Sequence, residues 1–173
     1  MKLIKEFWSY RDLLRLLVVK DIKLKYRRSI LGYVWSILNP LLIMSVMAVV
    51  FSAMFKRNIE NFPVYLFCGQ LLFNFMNSST HVAIFSITAN APLLKKTYVP
   101  KYLFTLARIT SGLVDLLFSM GALVLVLIAT KSKVTWHALL FPVVLIQLYV
   151  FCVGLGLFLS QANVFFKDTQ FIY

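Results

Sequence analysis

Charged residues fall along this chain in blocks, and the gaps between the blocks are long. Four stretches, 29–55, 61–94, 109–130 and 134–166, carry no Asp, Glu, Lys or Arg except Asp115 in the third. A helix needs about 20 apolar residues to cross the hydrocarbon of a bilayer. Each stretch is long enough, and a lone apolar segment satisfies its backbone in lipid only as a helix. The pattern predicts an all-α polytopic membrane protein with four transmembrane helices, their cores near 32–55, 64–86, 109–129 and 138–160. Residues 1–29 precede them as a separate segment, and 30–173 form the membrane domain. In that first segment Leu13, Leu17 and Leu24 share one helical face, flanked by Leu14, Leu16 and the aliphatic stem of Lys20. Ser9 and Asp12 have the spacing of a capping box. The segment reads as an amphipathic helix at the membrane interface, with packing on another cytosolic subunit as the alternative.

Composition agrees with that reading. Hydrophobic residues make up 61% of the chain and charged residues 14%, whereas a soluble domain is about half apolar. The net charge of +12 would suit a nucleic-acid ligand, but its distribution does not. Nine cations, from Lys2 to Arg28, precede the first span, and only Lys56 and Arg57 follow it directly. The positive-inside rule then places the amino terminus in the cytoplasm. Counted on alternate sides from there, fourteen cations lie inside and four outside. The charge is thus explained by topology, without nucleic acid. Cys68 and Cys152 lie in predicted spans at different depths and read as packing thiols, with no metal-ligand spacing around them.

Polar residues inside the spans are periodic. Gln70, Asn74, Asn77 and His81 recur at i, i+4, i+7 and i+11, one narrow stripe at about 100° per residue. Amides and an imidazole are costly against lipid, so the stripe faces water or protein. A hydrophilic path and an interhelical hydrogen-bond seam both satisfy that demand. Gly32, Ser36 and Asn39 repeat the spacing in the first span, ahead of Pro40, and suit close helix packing. Arg108, Gly112, Asp115 and Ser119 repeat it in the third. Asp115 is an intramembrane charge that requires a partner. Arg108 is two turns away and a poor one. A buried structural pair and a proton-relay role are the two readings of Asp115.

The inside loop, 88–108, has features of its own. Asn90 is placed to cap a short helix and Pro92 to sit in its first turn. Leu93, Leu94 and Tyr98 beside Lys95 and Lys96 give it an apolar and basic surface that invites a partner or the membrane surface. No G-x-x-x-x-G-K-[ST] segment is present for nucleotide. The few carboxylates and two histidines make no legible catalytic set and no metal site, so nothing points to an enzyme.

The stretch "KDIKLKYRRSILGYVWSILNPLL" resembles the start of permease subunits of type-2 ABC exporters for bacterial polysaccharides, such as O-antigen and teichoic acid exporters. The shared pattern is a basic run, then Ser29, Leu31-Gly32, Trp35, Leu38 and Pro40-Leu41. Three further stretches match in order: "FPVYLFCGQLLFNF", "NAPLLKKTYVPKYL" and "NVFFKDTQFI". The resemblance implies a chain without its own ATPase activity, carrying the first four of six expected spans and cut short at its carboxyl end. It implies a bacterial cytoplasmic-membrane protein that pairs with a second copy of itself and with P-loop ATPase subunits, which hold ATP and Mg. A lipid-linked glycan would be the cargo. Asn90, Pro92, Leu93, Leu94, Lys95, Lys96 and Tyr98 would form the ATPase-coupling loop. Tyr33, Trp35, Gln70, Asn74 and Asn77 would border the substrate path, although Tyr33 and Trp35 also suit an aromatic belt at the interface. Three other readings stay open: an ABC-type exporter of a lipid or drug, a membrane enzyme or proton-linked carrier using Asp115 and His81, and a non-transporting membrane scaffold.

Overall fold

The computed structural model describes residues 8–27, 32, 34–54, 62–96, 98–130 and 136–173. Among them the regular structure is entirely helical. Helix α1 is Arg11–Tyr26, α2 Val34–Met54 and α3 Phe62–Ile84. Two single turns follow, α4 (Ser86–Ala89) and α5 (Ala91–Leu94). Then come α6 (Tyr102–Ala129), a 3-10 turn (Trp136–Leu140), α7 (Phe141–Phe165) and α8 (Thr169–Ile172). The protein is an all-α, multi-pass membrane protein. Segments Val34–Phe51, Tyr102–Ala129 and Ala138–Phe165 are long and apolar enough to cross a bilayer. Helix α3, with 23 residues, has the length, but Gln70, Asn74, Asn77 and His81 dilute its apolar character.

Helix boundaries differ from the sequence expectation where a charge set the limit. The third span was expected to begin at residue 109, after Arg108; α6 instead begins at Tyr102 and takes Arg108 into its second turn. A helix runs through a charge that has a partner, and Arg108 has one. The loop between α3 and α6 is correspondingly shorter. At the start of α1, Tyr10 holds the N-cap position with no side-chain cap, while Ser9 belongs to the preceding helical turn, so the expected capping box does not form. Pro40 lies inside α2 without ending it, as membrane helices allow where neighbours re-satisfy the freed backbone groups. Gly32 was read as part of a packing stripe. It sits outside α2, in a turn with φ +49°. That left-handed conformation suits glycine.

Helix α6 is the centre of the bundle, packed on α1, α2, α3 and α7, and α3 packs on both α6 and α7. In α3, Phe67, Leu71 and Phe75 meet Ile109, Leu116 and Leu123 of α6 and Cys152 of α7. Small residues allow the close approach: a Cβ on Gly112 would strike Ser79 Oγ, and one on Gly156 would lie 2.8 Å from Ile109 Cδ1. A second cluster holds α1 in place. Leu17 and Val18 bury against Phe104 and Ala107 of α6, with Leu94 and Val99 packed beside them. The outer surfaces of the long helices are apolar and uncovered, as at Val46, Val49, Ile128 and Phe158, which suits contact with lipid.

Buried hydroxyls join the helices at the α1 end. Thr105 Oγ1 lies 2.8 Å from Ser86 Oγ and 3.2 Å from Ser160 Oγ, linking α4, α6 and α7. Asn163 Nδ2 donates to the Ile84 carbonyl at 3.1 Å. Thr105→Val is expected to lower stability by about 0.6–1.5 kcal/mol, since Ser86 and Ser160 keep their own backbone acceptors. The thermal midpoint in detergent, read by a thiol-reactive dye at buried Cys152, measures it.

Candidate functional site

The polar stripes of the first three long helices meet. Asn39 of α2, Gln70, Asn74 and Ser78 of α3, and Asp115 and Ser119 of α6 line a cleft of about 180 Å³. Ile43, Phe67 and Leu71 supply apolar wall between them. Ser119 Oγ donates to the Asp115 carbonyl at 3.0 Å and lies 3.5 Å from that of Ser36. Lys25 of α1 also lines the cleft. A second cleft of about 400 Å³ continues along α1, lined by Asp21, Ile22, Leu24, Lys25, Arg108 and Ser111 among others. The two share Lys25, Ser78, Ser79, Gly112 and Asp115.

Two ion pairs join α1 to α6 here. Lys25 Nζ donates to Asp115 Oδ2 at 2.8 Å, with the side chains 55% and 30% exposed. Arg108 Nη1 stands 3.3 Å from Asp21 Oδ1, and that pair is more enclosed, at 32% and 15%. Burial pushes the Asp21 carboxyl above the usual carboxylate range, against the pull of the Arg108 guanidinium and, more weakly, the Lys20 ammonium. Lys25 counted in the sequence as a topology-setting cation, and its pairing with Asp115 was missed. The signal was present: Asp21 and Lys25 stand one turn apart on α1, and Arg108 and Asp115 two turns apart on α6, with opposite sign order. Arg108 is indeed no direct partner of Asp115.

The expected path residues divide. Gln70 and Asn74 rim the cleft. Asn77 and His81 are exposed beyond it, because the wall of the cleft is turned around α3 toward Leu71 and Ser78 relative to the stripe. His81 instead packs its ring on Phe85, with centroids 5.8 Å apart, and is not brought to Asp115. Trp35 is exposed on the first turn of α2 and takes no part in the wall. Tyr33 lies outside the described residues.

The residues expected in the coupling loop divide as well. Asn90 occupies the N-cap position of α5, but its Nδ2 donates backward to the Ser86 carbonyl at 2.8 Å. Pro92 sits in the first turn of α5, which ends at Leu94, ahead of Val99-Pro100. Leu93 is 38% exposed, Lys95 and Lys96 are exposed, and Tyr98 is fully so. Leu94 turns inward onto the cluster under α1.

A bundle of apolar helices around a polar cleft, with a charged amphipathic helix packed against it, is the build of a multi-pass membrane protein. The family model described as ABC-2 type transporter matches residues 12–173, and the chain belongs to that family. It is 33% identical over 172 residues to the O-antigen export system permease protein RfbA of Myxococcus xanthus, covering 99% of this chain and 66% of that protein. It is 30% identical over 161 residues to an O-antigen export system permease protein RfbA of Klebsiella pneumoniae, covering 92% of this chain and 62% of that one. The chain thus spans somewhat less than two thirds of the length of these relatives.

Proposed function

We propose that this chain is the membrane-spanning subunit of an ATP-driven exporter that moves a lipid-linked cell-surface polysaccharide, of the O-antigen kind, across the cytoplasmic membrane. The observation that carries the reading is its similarity, over nearly its whole length, to permeases named for O-antigen export. The geometry supports it with a hydrophilic cleft between apolar helices. With nine cations ahead of the first span, the amino terminus and α1 lie on the cytoplasmic side. The turn 90–98 then projects into the cytosol, and α3, despite its polar stripe, serves as the second span.

The chain lacks a phosphate-binding loop of the Walker type, so ATP and Mg belong to a separate P-loop ATPase that docks on Leu93, Lys95, Lys96 and Tyr98. A second copy of the permease completes the channel. The uncovered amides of Asn74 and Asn77 would face that water-filled route, and amides tolerate a sliding glycan because each sugar hydroxyl offers an equivalent hydrogen bond. Replacing both Leu93 and Tyr98 by Asp is expected to abolish recovery of the ATPase with the tagged permease from membranes, and with it surface glycan in a strain lacking its own permease. Undiminished co-purification would remove the docking assignment. Surface glycan that never depends on this gene would remove the exporter reading.

A further inference from the structure

We propose that the Lys25–Asp115 pair is a latch through which α1 closes the cytoplasmic end of the polar cleft, with Asp21–Arg108 as the fixed hinge beside it. The inference rests on the exporter reading for its purpose, though not for its geometry. Charge order fixes the register: α1 presents an anion then a cation, and α6 a cation then an anion. Sliding α1 along α6 by two turns would bring Asp21 against Asp115, so the seam holds a single alignment.

The two pairs differ in how easily they open. Lys25 and Asp115 stay 55% and 30% exposed, so both ions rehydrate when they separate and little is lost. Asp21 is only 15% exposed, and its carboxylate would be left in a poorly solvated site. Parting of the contact therefore starts at Lys25, the residue of α1 that lines both clefts. Withdrawal of that side chain joins the cavity of about 180 Å³ to the one of about 400 Å³.

A lever reaches the latch from the cytosolic turn. Leu94 and Val99 pack on the cluster that holds Leu17 and Val18 of α1. A push on the turn at Leu93 or Tyr98 passes through these contacts into α1.

The test reads water access and needs neither ATP nor glycan. Ser79→Cys, at a buried position that lines both clefts, is introduced with Cys68→Ser in the full chain, and inverted membrane vesicles are treated with a membrane-impermeant maleimide. Cys152, fully buried, is retained as a monitor of folding. Lys25→Gln and Asp115→Asn are each expected to raise the labelling rate at position 79 about three- to tenfold. Lys25→Arg is expected to leave it low, and the exchange Lys25→Asp with Asp115→Lys to return it toward the parent rate. Unchanged rates in both single variants overturn the latch. If a single variant also exposes Cys152, the exchanged pair decides: closure restored supports the latch, and labelling as fast as in the singles overturns it. Because no transport is measured, the latch can fail while the exporter reading stands, and the reverse.

Discussion

Gly156→Leu is expected to leave no folded protein in detergent extracts, and Gly156→Ala to be destabilised by about 1–3 kcal/mol. The position lies where three helices touch. A Cβ there would meet Ile109 Cδ1 of α6 at 2.8 Å and Ala83 Cβ of α3 at 3.0 Å, both on fully buried residues. Ala83 has no rotamer to give, so α7 must shift. Leucine adds three more carbons to the same gap. Ile109→Val deletes the clashing Cδ1 atom, so Ile109→Val with Gly156→Ala is expected to be more stable than Gly156→Ala alone, although Ile109→Val by itself costs about 0.5–1.5 kcal/mol. Dye labelling of Cys152 during a temperature ramp measures all four variants. A neutral Gly156→Ala, or a double variant no better than it, would show that α7 does not sit this tightly.

That contact also marks what the sequence could and could not tell. The long helices were legible because apolar stretches of membrane length admit only one backbone solution in lipid. The amide stripe on α3 was legible as a polar line along the helix, and two of its members, Gln70 and Asn74, rim a polar cleft. Which neighbours flank the stripe is a matter of helix rotation, and periodicity carries no information about it. Asn77 and His81 share the stripe and still fall outside the cleft. Gly32 and Gly156 show the same limit. Both are small residues in or near spans, yet one serves a positive-φ turn and the other a three-helix contact. The partner of Asp115 was hidden for another reason. It lies ninety residues earlier on a helix outside the span, and a search for partners along the same helix cannot reach it.

Arg108→Leu is expected to destabilise the protein by about 2–3 kcal/mol at neutral pH, somewhat less than the ~3–5 kcal/mol of breaking a fully buried pair, because part of the site is open to water. The substitution leaves Asp21 charged, 15% exposed and without its guanidinium. The loss is expected to depend on pH, with a definite sign. Burial already raises the Asp21 pKa above its ordinary 3.8, and Arg108 opposes that rise; without Arg108 the pKa climbs further. A carboxyl whose native pKa is raised favours the folded state when protonated. That contribution is complete below the unfolded value and is lost as pH rises through the native one. The variant should therefore approach the parent as pH falls from about 8 toward about 4.5. Asp21→Asn with Arg108→Leu removes the titrating group, so its difference from the parent should shrink and vary much less with pH. Thermal midpoints across the pH series decide the matter. If Arg108→Leu stays equally destabilised at every pH, its cost lies in lost packing of the arginine stem, and Asp21 is no more than a bystander at the seam between α1 and α6.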